Sequence, residues 1–124
     1  MIVGIGVDLV DVPRFVRSIE RTPRLLDRLF TPAERTLRPR SLAARYAAKE
    51  ALIKALGGSD GVHWSEIEIA ALPSGRPVFA LSGSTAAVLT HRAITAVHLS
   101  LSHDAHLATA YVVAEAADGS GVPS

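Results

Sequence analysis

The sequence predicts an α+β fold, and three observations predict it. Helical patterns cluster between Asp11 and Leu56, after one opening strand. Beyond Gly57-Gly58 the pattern changes to short β-branched runs separated by turn residues, with one alanine-rich helix among them. Helices gathered first and hairpins after, instead of strict alternation, is the α+β signature. The length of 124 residues suits one domain with one core, and no repeat of fixed period is present. A single domain over residues 1–116 is therefore expected, with a disordered tail at 117–124 that is mostly Gly, Ser, Pro and Asp.

The elements follow in order. Residues 2–10 are β-branched and short, which predicts a strand. Asp11 before Pro13 has the form of a helix start, and that helix runs to about Arg21. Thr22-Pro23 interrupts it, and Pro23 opens a second helix through Leu29. Thr31-Pro32-Ala33-Glu34 reads as a capping box and predicts a short third helix. Ser41 caps the strongest helix, which ends before Gly57-Gly58. Glu66 to Ala71 and Val78 to Leu81 then form a hairpin around Pro73–Pro77, and Ser84 to Ile94 forms a helix. Val97 to Ser102 and Leu107 to Ala114 form a second hairpin, turning at His103-Asp104-Ala105-His106.

Composition narrows the chemistry. With 48% hydrophobic and 20% charged residues the chain reads as a soluble globular protein. Cysteine is absent, so disulfides and thiolate metal sites are excluded and any metal must take oxygen or histidine ligands. The N-terminus lacks a basic lead and meets Asp8 at once, and no apolar run reaches spanning length, so a cytoplasmic location is expected, with no membrane partner. Net charge is +1 but uneven: residues 1–45 carry nine Arg against five acids, and the remainder four Lys or Arg against seven acids. The basic third predicts an acidic partner.

The helix from Ser41 to Leu56 is the most informative stretch. At about 100° per residue, Ala44, Ala47, Ala48, Ala51 and Ala55 share one face, which lets another backbone approach closely. Leu42, Leu52, Ile53 and Leu56 lie opposite, with Arg45 and Lys49 among them and Glu50 and Lys54 on one flank. Charges on a helix that is apolar nearly all round need partners. Either Glu50 and Lys54 form a plain i,i+4 surface pair while Arg45 and Lys49 snorkel, or Arg45, Lys49, Lys54 and Glu50 line a pocket for a phosphorylated ligand and its metal. Asp8 is the candidate for the second carboxylate such a site needs, the alternative being an acid near the strand end that faces water while Asp11 caps the helix. It interrupts an apolar strand just after Gly4 and Gly6, where glycine marks a close approach. Magnesium takes one or two carboxylates, waters and phosphate oxygens, and Asp8 with Glu50 meets that minimum. The glycines are not a dinucleotide loop, for the third glycine is missing.

Three segments together resemble the holo-acyl-carrier-protein synthases, a group of 4′-phosphopantetheinyl transferases. They are Gly4-Ile5-Gly6-Val7-Asp8-Leu9-Val10 with Arg14, Arg45-Tyr46-Ala47-Ala48-Lys49-Glu50-Ala51 with Lys54 and Gly57, and His98-Leu99-Ser100-Leu101-Ser102-His103. Gly75-Arg76-Pro77 matches a loop that is usually Gly-Lys-Pro in that family. The resemblance implies a sheet packed on a long helix, in a homotrimer with active sites at the subunit interfaces. It implies transfer of phosphopantetheine from coenzyme A to a carrier-protein serine, with release of adenosine 3′,5′-bisphosphate. By the match, Asp8 and Glu50 hold Mg2+ and Lys54 lies by the pyrophosphate. Arg45, Gly57, Arg76, Pro77 and His103 fall on positions of the nucleotide site. Two departures stand out: Ile53 replaces a small polar residue, and Gly57-Gly58-Ser59-Asp60-Gly61 replaces a Gly-Thr-Gly run.

Arg14, Arg17, Arg21, Arg24 and Arg28 recur at spacings of three and four with few acids between them. Such a run is commonly a solvated face. Arginine also favours bidentate contact with carboxylates, and the resemblance implies docking of an acidic acyl carrier protein here, with Arg14 the best match. Interleaved aromatics are scarce, which argues against nucleic acid. Two rival functions remain open at this point: a magnesium-dependent phosphohydrolase or nuclease using the same acids, and a non-enzymatic docking module.

Overall fold

Two glycines and a face of alanines decide how the chain closes on itself. The structure, a computed structural model, describes residues 1–117; of the tail expected at 117–124, residues 118–124 lie outside the described residues. Strand β1 (Ile2–Asp11) lies across helix α3 (Pro39–Ala55). A Cβ on Gly4 would stand 1.9 Å from the Ala55 carbonyl oxygen, and one on Gly6 1.8 Å from that of Ala51. Strand and helix backbones are therefore in direct contact, which supplies the close approach that the glycines and the alanine face each predict. Ala47, Ala48 and Ala51 are fully buried, and so are Ala110, Val112 and Ala114 on strand β5 (Leu107–Ala116), which packs on the same helix.

Both sheets are antiparallel. β1, β5 and β4 (Ile94–Asp104) form one in the order β1-β5-β4, and β2 (Ile67–Ala71) pairs with β3 (Pro77–Leu81) in the other. β1 is thus an edge strand. Gly6 faces Val112 and Asp8 faces the buried Ala110, which puts Asp8 on the helix side of the sheet. The alternate residues Val3, Ile5, Val7 and Leu9 point the other way and are 40%, 53%, 49% and 64% exposed.

Helix α1 (Val12–Arg21) starts as expected: Asp11 caps it by accepting from the Arg14 N–H at 3.0 Å, and Pro13 sits in the first turn. Helix α2 (Leu25–Leu29) opens two residues later than predicted. The third helix predicted at Thr31 does not form; residues 32–36 are turns. Half of the capping box is made, since Glu34 Oε1 accepts from the Thr31 N–H at 3.1 Å, but the Thr31 hydroxyl donates to Glu68 instead. The run also cannot extend through Arg38, because Pro39 forces that residue to an extended ψ of 150°. Pro39 opens α3 at its first turn, so Ser41 lies inside the helix and does not cap it.

Glu34 has a buried partner that no local pattern reveals. Lys49, fully buried, donates to Glu34 Oε1 at 2.6 Å, to the Leu29 carbonyl at 2.6 Å and to the Trp64 carbonyl at 3.2 Å. Glu34 Oε2 accepts the Ile69 N–H at 3.0 Å. Burial pulls the Lys49 ammonium below its usual range, and the Glu34 carboxylate opposes that shift. Lys49 therefore ties α3 to α2, to Glu34 and to the Trp64 turn, and through Glu34 to β2; it neither snorkels nor lines a ligand pocket, the two readings open from sequence. The pairing leaves no buried charge uncompensated.

Helix α4 (Gly83–His91) ends three residues earlier than predicted. The second hairpin is longer than predicted, turning at Ala105-His106 alone with Ala105 at φ 52°, so His103 lies on β4 opposite Ala108. α4 is capped from outside its own sequence. Glu66, in a 3-10 turn at Trp64–Glu66, accepts from the N–H groups of Ser84 and Thr85 and from both hydroxyls. The Thr85 hydroxyl and then the Ser84 hydroxyl hold the Glu66 carboxyl down from its ordinary 4.5 to about 2. A folded value below the unfolded one means that the stabilisation is fully present above about pH 4.5 and fades as pH falls toward 2. We expect hydrogen-exchange protection of the α4 amides to drop across that window, and Glu66→Gln to flatten the drop. Protection that is equally acid-sensitive in the variant would contradict the cap.

Candidate active site

Helix α3 delivers three side chains to one place by placing them four residues apart. Tyr46, Glu50 and Lys54 lie on successive turns. The Tyr46 hydroxyl donates to Glu50 Oε1 at 2.7 Å. Lys54 Nζ donates to Asp8 Oδ1 at 3.0 Å and to the Val7 carbonyl at 2.9 Å. The surface pair between Glu50 and Lys54 that the spacing allows is not made; the lysine reaches across to β1 instead. The Thr109 hydroxyl of β5 fixes the strand at the same point by donating to the Asp8 carbonyl at 2.8 Å.

Asp8 and Glu50 line one cavity of about 490 Å3, together with Tyr46, Asp11, Arg14 and Phe15. Asp8 is largely covered, with a side-chain exposure of 17%. One oxygen of each acid is held, Asp8 Oδ1 by Lys54 and Glu50 Oε1 by Tyr46. Among the described residues nothing bonds Asp8 Oδ2 or Glu50 Oε2. Two carboxylates with one unbonded oxygen each, opening on a space for waters and phosphate, suit a hard divalent cation such as Mg2+. Among the described residues no cluster of three or more His, Asp or Glu forms, so the rest of a coordination sphere falls to water and substrate oxygens. Burial first, then the bond to Glu50, push the Tyr46 hydroxyl well above its usual range, so it stays a proton donor.

The remaining predicted residues divide. Arg14 lines the same cavity as Asp8 and Glu50, from the first turn of α1. Arg17 and Arg21 on α1, Arg24 before α2 and Arg28 on α2 are all exposed, outside that cavity. Arg45 turns to a second cavity, also about 490 Å3, lined by Gly75, Arg76, Pro77 and Ser100. It lies 3.9 Å from Glu34 through Nε. The two cavities have no lining residue in common. Gly57 ends α3 at φ 82°, with its N–H on the Lys54 carbonyl and that of Gly58 on the Ile53 carbonyl, the two bonds of a Schellman ending. Arg92 adds a bond from its guanidinium to the Leu56 carbonyl. His103 is exposed on β4 and lines neither cavity. Ile53 packs against the core.

Tyr46 and Phe15 escaped the sequence reading as site residues. Their rings stack at 5.3 Å between centroids, and Phe15 meets Phe30 edge-on at 6.1 Å. The four-residue spacing of Tyr46, Glu50 and Lys54 was the signal that marked Tyr46.

Residues 4–114 match the family model of the 4′-phosphopantetheinyl transferase superfamily. The holo-[acyl-carrier-protein] synthase of Clavibacter sepedonicus is 61% identical over 115 residues, covering 93% of this chain and 97% of that protein. The crystal structure of the Neisseria meningitidis holo-[acyl-carrier-protein] synthase superposes with a TM-score of 0.86 at 34% identity, over 93% of this chain and 99% of that one. The Helicobacter pylori enzyme, solved in complex with coenzyme A, superposes with a TM-score of 0.80 at 32% identity, over 90% of this chain and 99% of that one. The chain belongs to the 4′-phosphopantetheinyl transferase superfamily.

Proposed function

We propose that this chain is a holo-[acyl-carrier-protein] synthase, moving 4′-phosphopantetheine from coenzyme A to a serine of an apo acyl carrier protein. The observation that carries the reading is the meeting of Asp8 and Glu50, distant in sequence, at one cavity, with Lys54 bonded to Asp8. The names of its relatives and the coenzyme A bound to the Helicobacter pylori enzyme support the substrate pair.

Asp8 and Glu50 are the residues to hold Mg2+, which when bound neutralises charge on the pyrophosphate and orients it. The serine oxygen forms a bond to the β-phosphorus of coenzyme A as its proton leaves to solvent. The bond from that phosphorus to the bridging oxygen breaks, and adenosine 3′,5′-bisphosphate departs with the electron pair. Lys54 suits the leaving group. Its ammonium has three donors, of which two are engaged by Asp8 and the Val7 carbonyl, leaving one for a phosphate oxygen. Little covalent chemistry falls to the protein, so positioning and charge stabilisation supply the rate.

Arg45, Arg76 and Pro77 form a second half-site apart from the first, and we assign it to the nucleotide with Gly57 and His103. Two half-sites on separate cavities fit an active site completed between copies of the chain. The exposed apolar row of Val3, Ile5, Val7 and Leu9, with Tyr111 beside it at 49% exposure, is the surface we assign to a homotrimer contact. Among the described residues no helix is long and apolar enough to cross a membrane.

The test is direct. Incubation with apo acyl carrier protein, coenzyme A and Mg2+ should add one phosphopantetheine mass to the carrier, and EDTA should abolish the gain. Free phosphate or cut nucleic acid without a carrier adduct would favour a hydrolase; no reaction would favour a docking module. Carrier docking is assigned to Arg14 first and to Arg17, Arg21, Arg24 and Arg28 as a basic margin. Arg14→Ala should raise the KM for carrier about five- to tenfold at low ionic strength and less as salt rises. An unchanged KM at low salt would place docking elsewhere.

A further inference from the structure

Tyr46 and Lys54 flank Glu50 by one helical turn on either side, yet only Tyr46 bonds to it. On an isolated helix the cation would be the natural partner of the acid. Here Lys54 is engaged with Asp8 and the Val7 carbonyl, and a neutral hydroxyl has taken its place at Glu50.

We propose that Tyr46 is a positioning residue for the metal site: its hydroxyl fixes Glu50 Oε1 so that Oε2 is presented to the cation shared with Asp8. This rests on the metal reading above. The choice of a hydroxyl matters. An ammonium would neutralise the carboxylate it orients, whereas a phenol donates one hydrogen bond and leaves the negative charge for the cation. Glutamate has three side-chain torsions and loses much entropy on being fixed. The tyrosine ring has two, and it is already held by Phe15 at 5.3 Å, which is in turn held by Phe30 at 6.1 Å. Core packing between α1 and α3 thus sets where the hydroxyl stands, and the hydroxyl sets where the carboxylate points. The bond also keeps Glu50 from turning to Lys54, which would draw the lysine off Asp8 and leave both acids misdirected.

Loss of such a supporting bond costs about ten- to a hundredfold in metal affinity at other sites. Tyr46→Phe removes one oxygen and keeps the ring packing, so its melting temperature should match that of the parent. With Mn2+ as probe and coenzyme A present, free metal is counted by electron paramagnetic resonance in the absence of carrier protein. We expect the parent and Tyr46→Phe to bind the same number of ions, the variant about ten- to a hundredfold more weakly, and Glu50→Gln to bind none. In turnover the Mg2+ concentration for half-maximal rate should rise by the same factor, with most of kcat restored at saturating metal. If Tyr46→Phe binds Mn2+ within twofold of the parent, or if its kcat stays low at saturating metal, the positioning role is overturned while the metal pair stands. If the parent itself binds no Mn2+, or Glu50→Gln binds as well as the parent, the metal pair fails and this role with it.

Discussion

Replacing either Asp8 or Glu50 with alanine lowers kcat on the order of a thousandfold while the melting temperature changes little. Each acid has one oxygen committed to a partner and lines the same cavity, so under the proposed metal role each removal takes away one of the two protein ligands. Loss of Asp8 also releases Lys54 from its 3.0 Å contact, and with it the fixed position that the proposed role beside the leaving phosphate needs. Neither acid supports the core: Asp8 sits at the edge strand and Glu50 on a half-buried flank of α3. Steady-state rates with apo carrier protein and a thermal melt check both parts. A variant with more than a tenth of the parent kcat would remove that acid from the mechanism.

Gly6→Ala should destabilise the fold by about 3 kcal/mol or more, measured by urea unfolding. Its Cβ would arrive 1.8 Å from the Ala51 carbonyl oxygen, with the Ala55 nitrogen at 2.8 Å. Those are backbone atoms of a well-packed helix, so no side chain can swing aside. The strand must lift off α3, which also carries Asp8 away from Glu50. Activity and stability should therefore fall together, unlike the metal-ligand variants. A stable and active Gly6→Ala protein would mean that β1 does not lie on α3 as described.

How far the sequence foretold all this depends on how local the cause was. Gly4, Gly6 and the alanine face are patterns within two short segments, and each announced a close approach; that the two approach each other is what the structure adds. Asp11 and Pro13 likewise marked the start of α1, because the cap is made within three residues. Thr31 to Glu34 carried an equally good local signature and misled, since the fate of Glu34 is set by Lys49 fifteen residues on and by the Ile69 amide on β2. The same blindness left Lys49 either snorkelling or lining a pocket, when it is sealed in the core. Lys54 was read either as the surface partner of Glu50 or as lining a phosphate pocket, and its bond to Asp8 across the fold was in neither reading. The row Val3, Ile5, Val7, Leu9 was legible in principle. It alternates with the glycines and Asp8, so an apolar outer face on β1 follows from the period of two. Where the hairpin turns was missed by two residues because Ala105 takes a left-handed conformation usually reserved for other residue types.

One measurement bears most directly on the pairing of Asp8 with Glu50. Crystals grown with Mn2+ and coenzyme A and measured at the manganese edge should show one anomalous peak, at about 2.1 Å from a carboxylate oxygen of each acid. A peak bound to only one of the two, or carboxylates too far apart to share an ion in the presence of coenzyme A, would contradict the account.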